Sequence, residues 1–94
     1  MKNENCNMFG KVIGRVQGVG YRAWTQKTAC KYKLSGWVIN CSDKSVEFVV
    51  SGKKNNIDKF LKECYLGPTF SKVKTLQLKK LPFLEYKSFE IKYL

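Results

Sequence analysis

Hydrophobic and polar positions alternate along much of this chain, with the period lengthening in two stretches. Met8 to Arg15 (M-F-G-K-V-I-G-R) reads as a short mixed strand with Val12 and Ile13 inside it. Tyr21 to about Tyr32 contains neither Pro nor Gly, and Trp24, Ala29, Cys30 and Tyr32 supply a helical face that Ser35-Gly36 interrupts. Gly36 to Cys41 (G-W-V-I-N-C) is a β-rich run. Val46 to Ser51 is another, with Val46, Phe48 and Val50 alternating against Glu47 and Ser51. The turn cluster Ser42-Asp43-Lys44-Ser45 between them predicts an antiparallel hairpin. Ile57, Phe60, Leu61 and Cys64 fall at i, i+3, i+4 and i+7, the clearest helical signal in the chain. Asn55 is expected to cap that helix, Asp58 to complement its dipole in the first turn, and Gly67-Pro68 to end it. Ser71 to Leu81 carries Val73, Leu76, Leu78 and Leu81 among lysines, a further strand. Lys87 to Leu94 sets Phe89, Ile91 and Tyr93 against Ser88, Glu90 and Lys92.

The order β-α-β-β-α-β predicts the α+β class: a ferredoxin-like βαββαβ sandwich, an antiparallel sheet with two helices on one face, and the last stretch available as a short fifth strand. No linker, repeat or low-complexity segment divides the chain, so residues 1–94 are expected to form a single domain. Hydrophobic content of 44% with 14% aromatic fits a folded globule. Lys and Arg number 18 against 7 Asp and Glu, a net charge of +11 that excludes an acidic calcium-binding module and points to an anionic partner. The chain has no histidine, which excludes a Ser-His-Asp triad, a histidine general base and every His-ligated metal site. Cys6, Cys30, Cys41 and Cys64 are widely spaced without a C-x-x-C pair, so no metal site is expected, while two disulfides are allowed on count alone. No apolar signal segment follows the opening residues, and no apolar run approaches the ~18 residues of a membrane span. The expectation is a monomeric cytoplasmic protein with free thiols and no membrane association.

Between the first strand and the first helix stand Gly14, Gly18 and Gly20, with Arg22 just inside the helix. A glycine-rich turn that opens a helix aims unpaired N–H groups and the positive end of the helix dipole at one point, which suits a phosphate or carboxylate. Arg22 would add a forked, permanently charged contact. No window satisfies the phosphate-loop pattern G-x-x-x-x-G-K-[ST]. Gly18-x-Gly20-x-x-Ala23 does match the dinucleotide fingerprint, with Asp43 about 20 residues on. The next strand turns into a hairpin instead of a second βαβ unit, however, and the chain is too short for that domain.

The segment Val12 to Arg22, V-I-G-R-V-Q-G-V-G-Y-R, resembles nearly letter for letter the acylphosphatase signature V-x-G-x-V-Q-G-V-x-[FY]-R. The resemblance continues through G-W-V-I-N at Gly36 to Asn40, then Val46-Glu47, Gly52 and Gly67-Pro68. It implies a small ferredoxin-like hydrolase of carboxyl–phosphate anhydrides that uses no metal or other cofactor and forms no phosphoenzyme. Carried over by motif position, Arg22 binds the phosphate and the backbone amides of Val16, Gln17, Gly18, Val19, Gly20 and Tyr21 form its cradle. Asn40 orients the attacking water. The implied partner is a small-molecule acyl phosphate, with inorganic phosphate or sulfate as a competing anion.

Three positions depart from the family pattern. Ile39 stands where Arg or Lys usually precedes the asparagine, Asp43-Lys44 replaces Asp-Gly in the hairpin turn, and Lys33 takes a glycine position at the end of the first helix. Cys41 is expected on the face opposite Asn40 as inert packing, and Trp24, Trp37 and Phe60 as core. The lysine excess fits a solvated surface that steers anionic substrates. The alternative is a basic ferredoxin-like nucleic-acid-binding module without catalysis. It is disfavoured because no K/R-G-F/Y-G/A-F-V-x-F/Y string occurs.

Overall fold

Strand alternation sorts the chain onto two faces of a five-stranded sheet. The computed structural model describes residues 4–93. Its elements are β1 (Asn5–Arg15), α1 (Tyr21–Lys31), β2 (Ser35–Asn40), β3 (Val46–Lys53), α2 (Lys54–Leu66), β4 (Lys72–Leu81) and β5 (Phe89–Lys92). The strands lie in the order β4-β1-β3-β2-β5, the ferredoxin-like arrangement with a fifth strand added at the β2 edge. The four strands of the expected sheet pair antiparallel, and the fifth strand, whose direction the sequence left open, adds a parallel pairing at that edge. Residues 82–88 carry the chain from the β4 edge to the opposite one, where β5 pairs parallel to β2 through Gly36–Phe89 and Val38–Ile91.

Val12, Val38, Val46, Phe48 and Val50 line the helix side of the sheet and are buried beneath α1 and α2. The helical spacing of α2 holds fully: Ile57, Phe60, Leu61 and Cys64 are its buried residues. The Phe60 ring meets Phe48 edge-on at 5.3 Å, and burial of each such side chain stabilises by roughly 1.5–3 kcal/mol. α2 starts two residues earlier than Asn55 capping required. Lys53 is the N-cap, Lys54 N–H donates to Glu4 O at 2.9 Å, and that bond supplies the first turn with a backbone acceptor from the start of β1. Asp58 therefore lies past the first turn and pairs with Lys54 on the surface at 3.1 Å. Gly67 ends the helix at φ 65, as its position predicts.

α1 buries a different face from the one its apolar residues suggest: Tyr21, Thr25, Thr28 and Ala29 point inward and Cys30 is exposed. Threonine is tolerated there because each hydroxyl finds a carbonyl one turn back. Thr25 Oγ1 donates to Tyr21 O at 2.7 Å and Thr28 Oγ1 to Trp24 O at 2.8 Å. Trp24 packs half-buried against the core, and only Phe60 of the three expected large aromatics is fully inside. Trp37 lies on the open face of the sheet, where Lys92 Nζ sits 5.4 Å from its ring. The end of α1 closes as a Schellman motif, Leu34 N–H to Ala29 O at 2.9 Å and Lys33 N–H to Cys30 O at 3.0 Å, with Lys33 in the left-handed region at φ 58.

Candidate active site

β1 delivers the chain to the loop between Val16 and Gly20, at the end of the sheet where β2 also ends. Gly20 is the N-cap of α1 at φ 80, ψ 20, and Gly18 has φ 74. A Cβ at either position would meet nothing within 4 Å. It is therefore the left-handed backbone that requires glycine at both, not lack of space. Such a turn points successive N–H groups to one side, where the unpaired amides of the α1 first turn also aim.

Around this turn lies a cavity of about 210 Å³ lined by Val16, Gly18, Gly20, Tyr21, Arg22, Ala23, Asn40, Ile91 and Tyr93. Its chemistry is sparse: one guanidinium, one carboxamide, two tyrosines, backbone amides and apolar surface. Arg22 is the second residue of α1, and no carboxylate pairs with it among the described residues. Its guanidinium carbon instead lies 4.7 Å from the centre of the Tyr93 ring. Asn40, the last residue of β2, pairs with Val46 on the helix side of the sheet, which turns its side chain toward α1. Its Oδ1 is buried and has no hydrogen-bond donor among the described residues. An acceptor so placed is costly unless whatever enters the cavity donates to it.

Of the residues singled out by sequence, Val16, Gly18, Gly20, Tyr21, Arg22 and Asn40 are brought together around the cavity; Gln17 and Val19 do not line it. Val19 packs against the core. The Gln17 side chain turns away to the β2–β3 turn, its Nε2 donating to Cys41 O at 2.8 Å and Ser45 O at 2.9 Å. Tyr21 is anchored inward: its phenol donates to Cys64 O at 2.7 Å. Burial, then the neighbouring Cys64, pushes that phenol far above its ordinary range. Burial likewise raises the Cys41 thiol, beside Glu47 of the open face, so it stays protonated at neutral pH. Among the described residues, no three His, Cys, Asp or Glu side chains cluster as metal ligands, and all four cysteines are unpaired. Ile91 and Tyr93 escaped the sequence reading of the site. Their alternation was legible, but nothing local indicated that their strand pairs beside Asn40.

The sequence model of the acylphosphatase family matches residues 8–91. An acylphosphatase of Clostridium beijerinckii is 47% identical over 83 residues, covering 87% of this chain and 92% of that protein. The crystal structure of an acylphosphatase from Bacillus subtilis is similar with a TM-score of 0.91 and 38% identity, covering 94% of this chain and 99% of its own. An acylphosphatase from Coxiella burnetii gives the same TM-score of 0.91 at 28% identity, over 94% of this chain and 93% of its own. With its motif, its fold and its relatives in agreement, the chain belongs to the acylphosphatase family, whose reaction is the hydrolysis of acyl phosphates.

Proposed function

We propose that the phosphoryl group of an acyl phosphate binds at the Val16–Tyr21 amides and Arg22, and that Asn40 aims the water that attacks it. The observation that carries this reading is the pairing, in one cavity, of an Arg22 and a buried Asn40 Oδ1 that have, among the described residues, no carboxylate partner and no hydrogen-bond donor respectively. The amides and the guanidinium hold the equatorial oxygens and balance the charge of a loose phosphoryl-transfer transition state. Asn40 Oδ1 accepts a hydrogen bond from the water and leaves its lone pair directed at phosphorus. The P–O bond to the carboxylate breaks as the new one forms. A carboxylate whose conjugate acid has a pKa of about 4 leaves without a general acid. The water's proton passes to a phosphoryl oxygen, so no histidine or other protein base is required. The positions of charge are met by Arg22 and backbone dipoles, and the reaction as proposed uses no metal ion.

The free thiols fit a reducing, cytoplasmic setting, and we take the protein as a monomer of one domain. Nucleic-acid binding gains nothing from the open sheet face, where Glu47 and Glu90 stand among Phe9, Trp37 and the lysines.

Hydrolysis of benzoyl phosphate in EDTA by the wild type, Arg22→Ala and Asn40→Ala tests the assignment. The wild type should turn over, and Arg22→Ala should lose on the order of 10²–10³ in rate or more. Asn40→Ala should lose kcat while inorganic phosphate still inhibits competitively. Near-normal turnover by Arg22→Ala, or loss of wild-type activity to the chelator, would overturn it.

A further inference from the structure

We propose that a second ligand site, for a small monocarboxylate with an apolar body, lies at the end of the sheet opposite the candidate active site. A cavity of about 520 Å³ opens there, between the end of α1 and the crossover that joins β4 to β5. Ser35, the first residue of β2, lines it, whereas Asn40 at the other end of that strand lines the candidate active site. Its volume is that of a small-molecule site, roughly 300–1,000 Å³. The crossover forms one wall and is tied to two strands. Ser51 Oγ of β3 donates to Leu84 O at 2.8 Å, and Gly36 N–H of β2 donates to Ser88 O at 3.0 Å. Phe83 and Tyr86 of the same segment give that wall aromatic surface.

Charge selects the occupant. Lys33 and Lys87 line the cavity, and neither has a carboxylate partner among the described residues. Glu85 also lines it, so the charged side chains leave one net positive charge, which a monoanion balances and a phosphate dianion exceeds. The Ser35 and Ser88 hydroxyls have no partner among the described residues and can donate to carboxylate oxygens. The α1 carbonyls that would repel an anion here already accept from the N–H groups of Tyr32, Lys33 and Leu34. Lys33 is strained to stand there. Its φ of 58 is left-handed, and glycine would close the helix without that strain. Lys31 already sets a cation in the last turn of α1, so the helix does not need a second. What Lys33 adds is an unpaired ammonium group in the cavity lining.

Titration of the ¹⁵N-labelled protein with benzoate, read by amide chemical shifts, tests the site. Saturable shifts are expected at Lys33, Ser35 and Ser88, and inorganic phosphate alone, which lacks an apolar body, should leave those amides unmoved. Lys33→Gly and Lys87→Ala should each weaken this binding roughly tenfold. The Tm of Lys33→Gly should not fall, which separates a lost ligand contact from a damaged fold. Benzamide, of the same shape without the charge, should bind at least roughly tenfold more weakly than benzoate. Shifts confined to Gly18, Gly20 and Asn40, no shifts at all, equal affinity in the wild type and both variants, or benzamide binding as tightly as benzoate would each overturn the proposal.

Discussion

Gln17 and Ser45 are joined across the site: the Gln17 Nε2 donates to the Ser45 carbonyl at 2.9 Å and, with its second hydrogen, to Cys41 O at 2.8 Å. Those carbonyls flank the turn that follows Asn40, and the turn is closed by its own bond from Cys41 N–H to Ser45 O at 2.9 Å. The turn through Gly18 and Gly20 and the turn after Asn40 are thereby held as one body. Replacing Gln17 by Ala should lower kcat on benzoyl phosphate by roughly 10–100-fold, because a displacement of about 1 Å in a positioned group costs that much. Inhibition by inorganic phosphate should change far less. Steady-state kinetics with phosphate as inhibitor measure both, and a variant altered only in KM would contradict the positioning role.

The bond from Tyr21 to Cys64 answers a shortage created by the sequence. Cys64 O would accept from the N–H four residues on, but that residue is Pro68. The buried phenol supplies the missing donor and ties the start of α1 to the last turn of α2. Tyr21→Phe should lower the free energy of unfolding by about 1–3 kcal/mol, the cost of an unpaired buried carbonyl. Urea denaturation at neutral pH reads it directly.

Lys33 and Lys44 are the non-glycine residues with positive φ among those described, at 58° and 73°. Both stand where the family pattern has glycine. The left-handed conformation costs an L-residue about 1–2 kcal/mol, and glycine gives back about 0.5–1 kcal/mol in unfolded-chain entropy. Lys33→Gly and Lys44→Gly should each stabilise the fold by about 0.5–1 kcal/mol. Calorimetry should show a rise in Tm of a few degrees for either variant.

The hairpin turn is also held by charge. Asp43 accepts from Ser45 N–H at 3.0 Å and pairs with Lys11 at 2.9 Å. The Ser45 hydrogen bonds, then Lys11, hold its carboxyl well below the ordinary aspartate range. A lowered folded pKa stabilises the native state above the unfolded value of about 4, and that contribution is lost as pH falls through the folded value. The urea midpoint of the wild type should therefore exceed that of Asp43→Asn at pH 7, and the gap should close on acidification below about pH 4. A gap independent of pH would show the carboxylate charge to be irrelevant.

Much of this was readable from residue order. The period of α2 named its buried residues, and the motif position of Asn40 brought it to the cavity, while which face of the sheet it takes came only from its pairing with Val46. α1 defeated the same method because two of its buried positions are Thr25 and Thr28. Their hydroxyls are satisfied within the helix, so they bury like small apolar side chains while reading as polar. Trp37 misled in the opposite sense, a large aromatic on the open face with a lysine over it. The lining residues Ile91 and Tyr93 were missed for another reason. Whether residues 89–92 pair at one sheet edge or the other depends on the path of the preceding crossover, a long-range choice that leaves no periodic trace.

The parallel pairing of β5 also decides how the molecule tolerates attachment. Anything joined beyond Tyr93 leaves from the rim of the cavity it lines, whereas β1 begins beside Lys53 at the far end of the sheet. The two exits lie toward opposite ends of the sheet. An affinity tag or fusion partner on the amino-terminal side leaves the cavity mouth clear. The same addition at the carboxyl end crowds the mouth of that cavity.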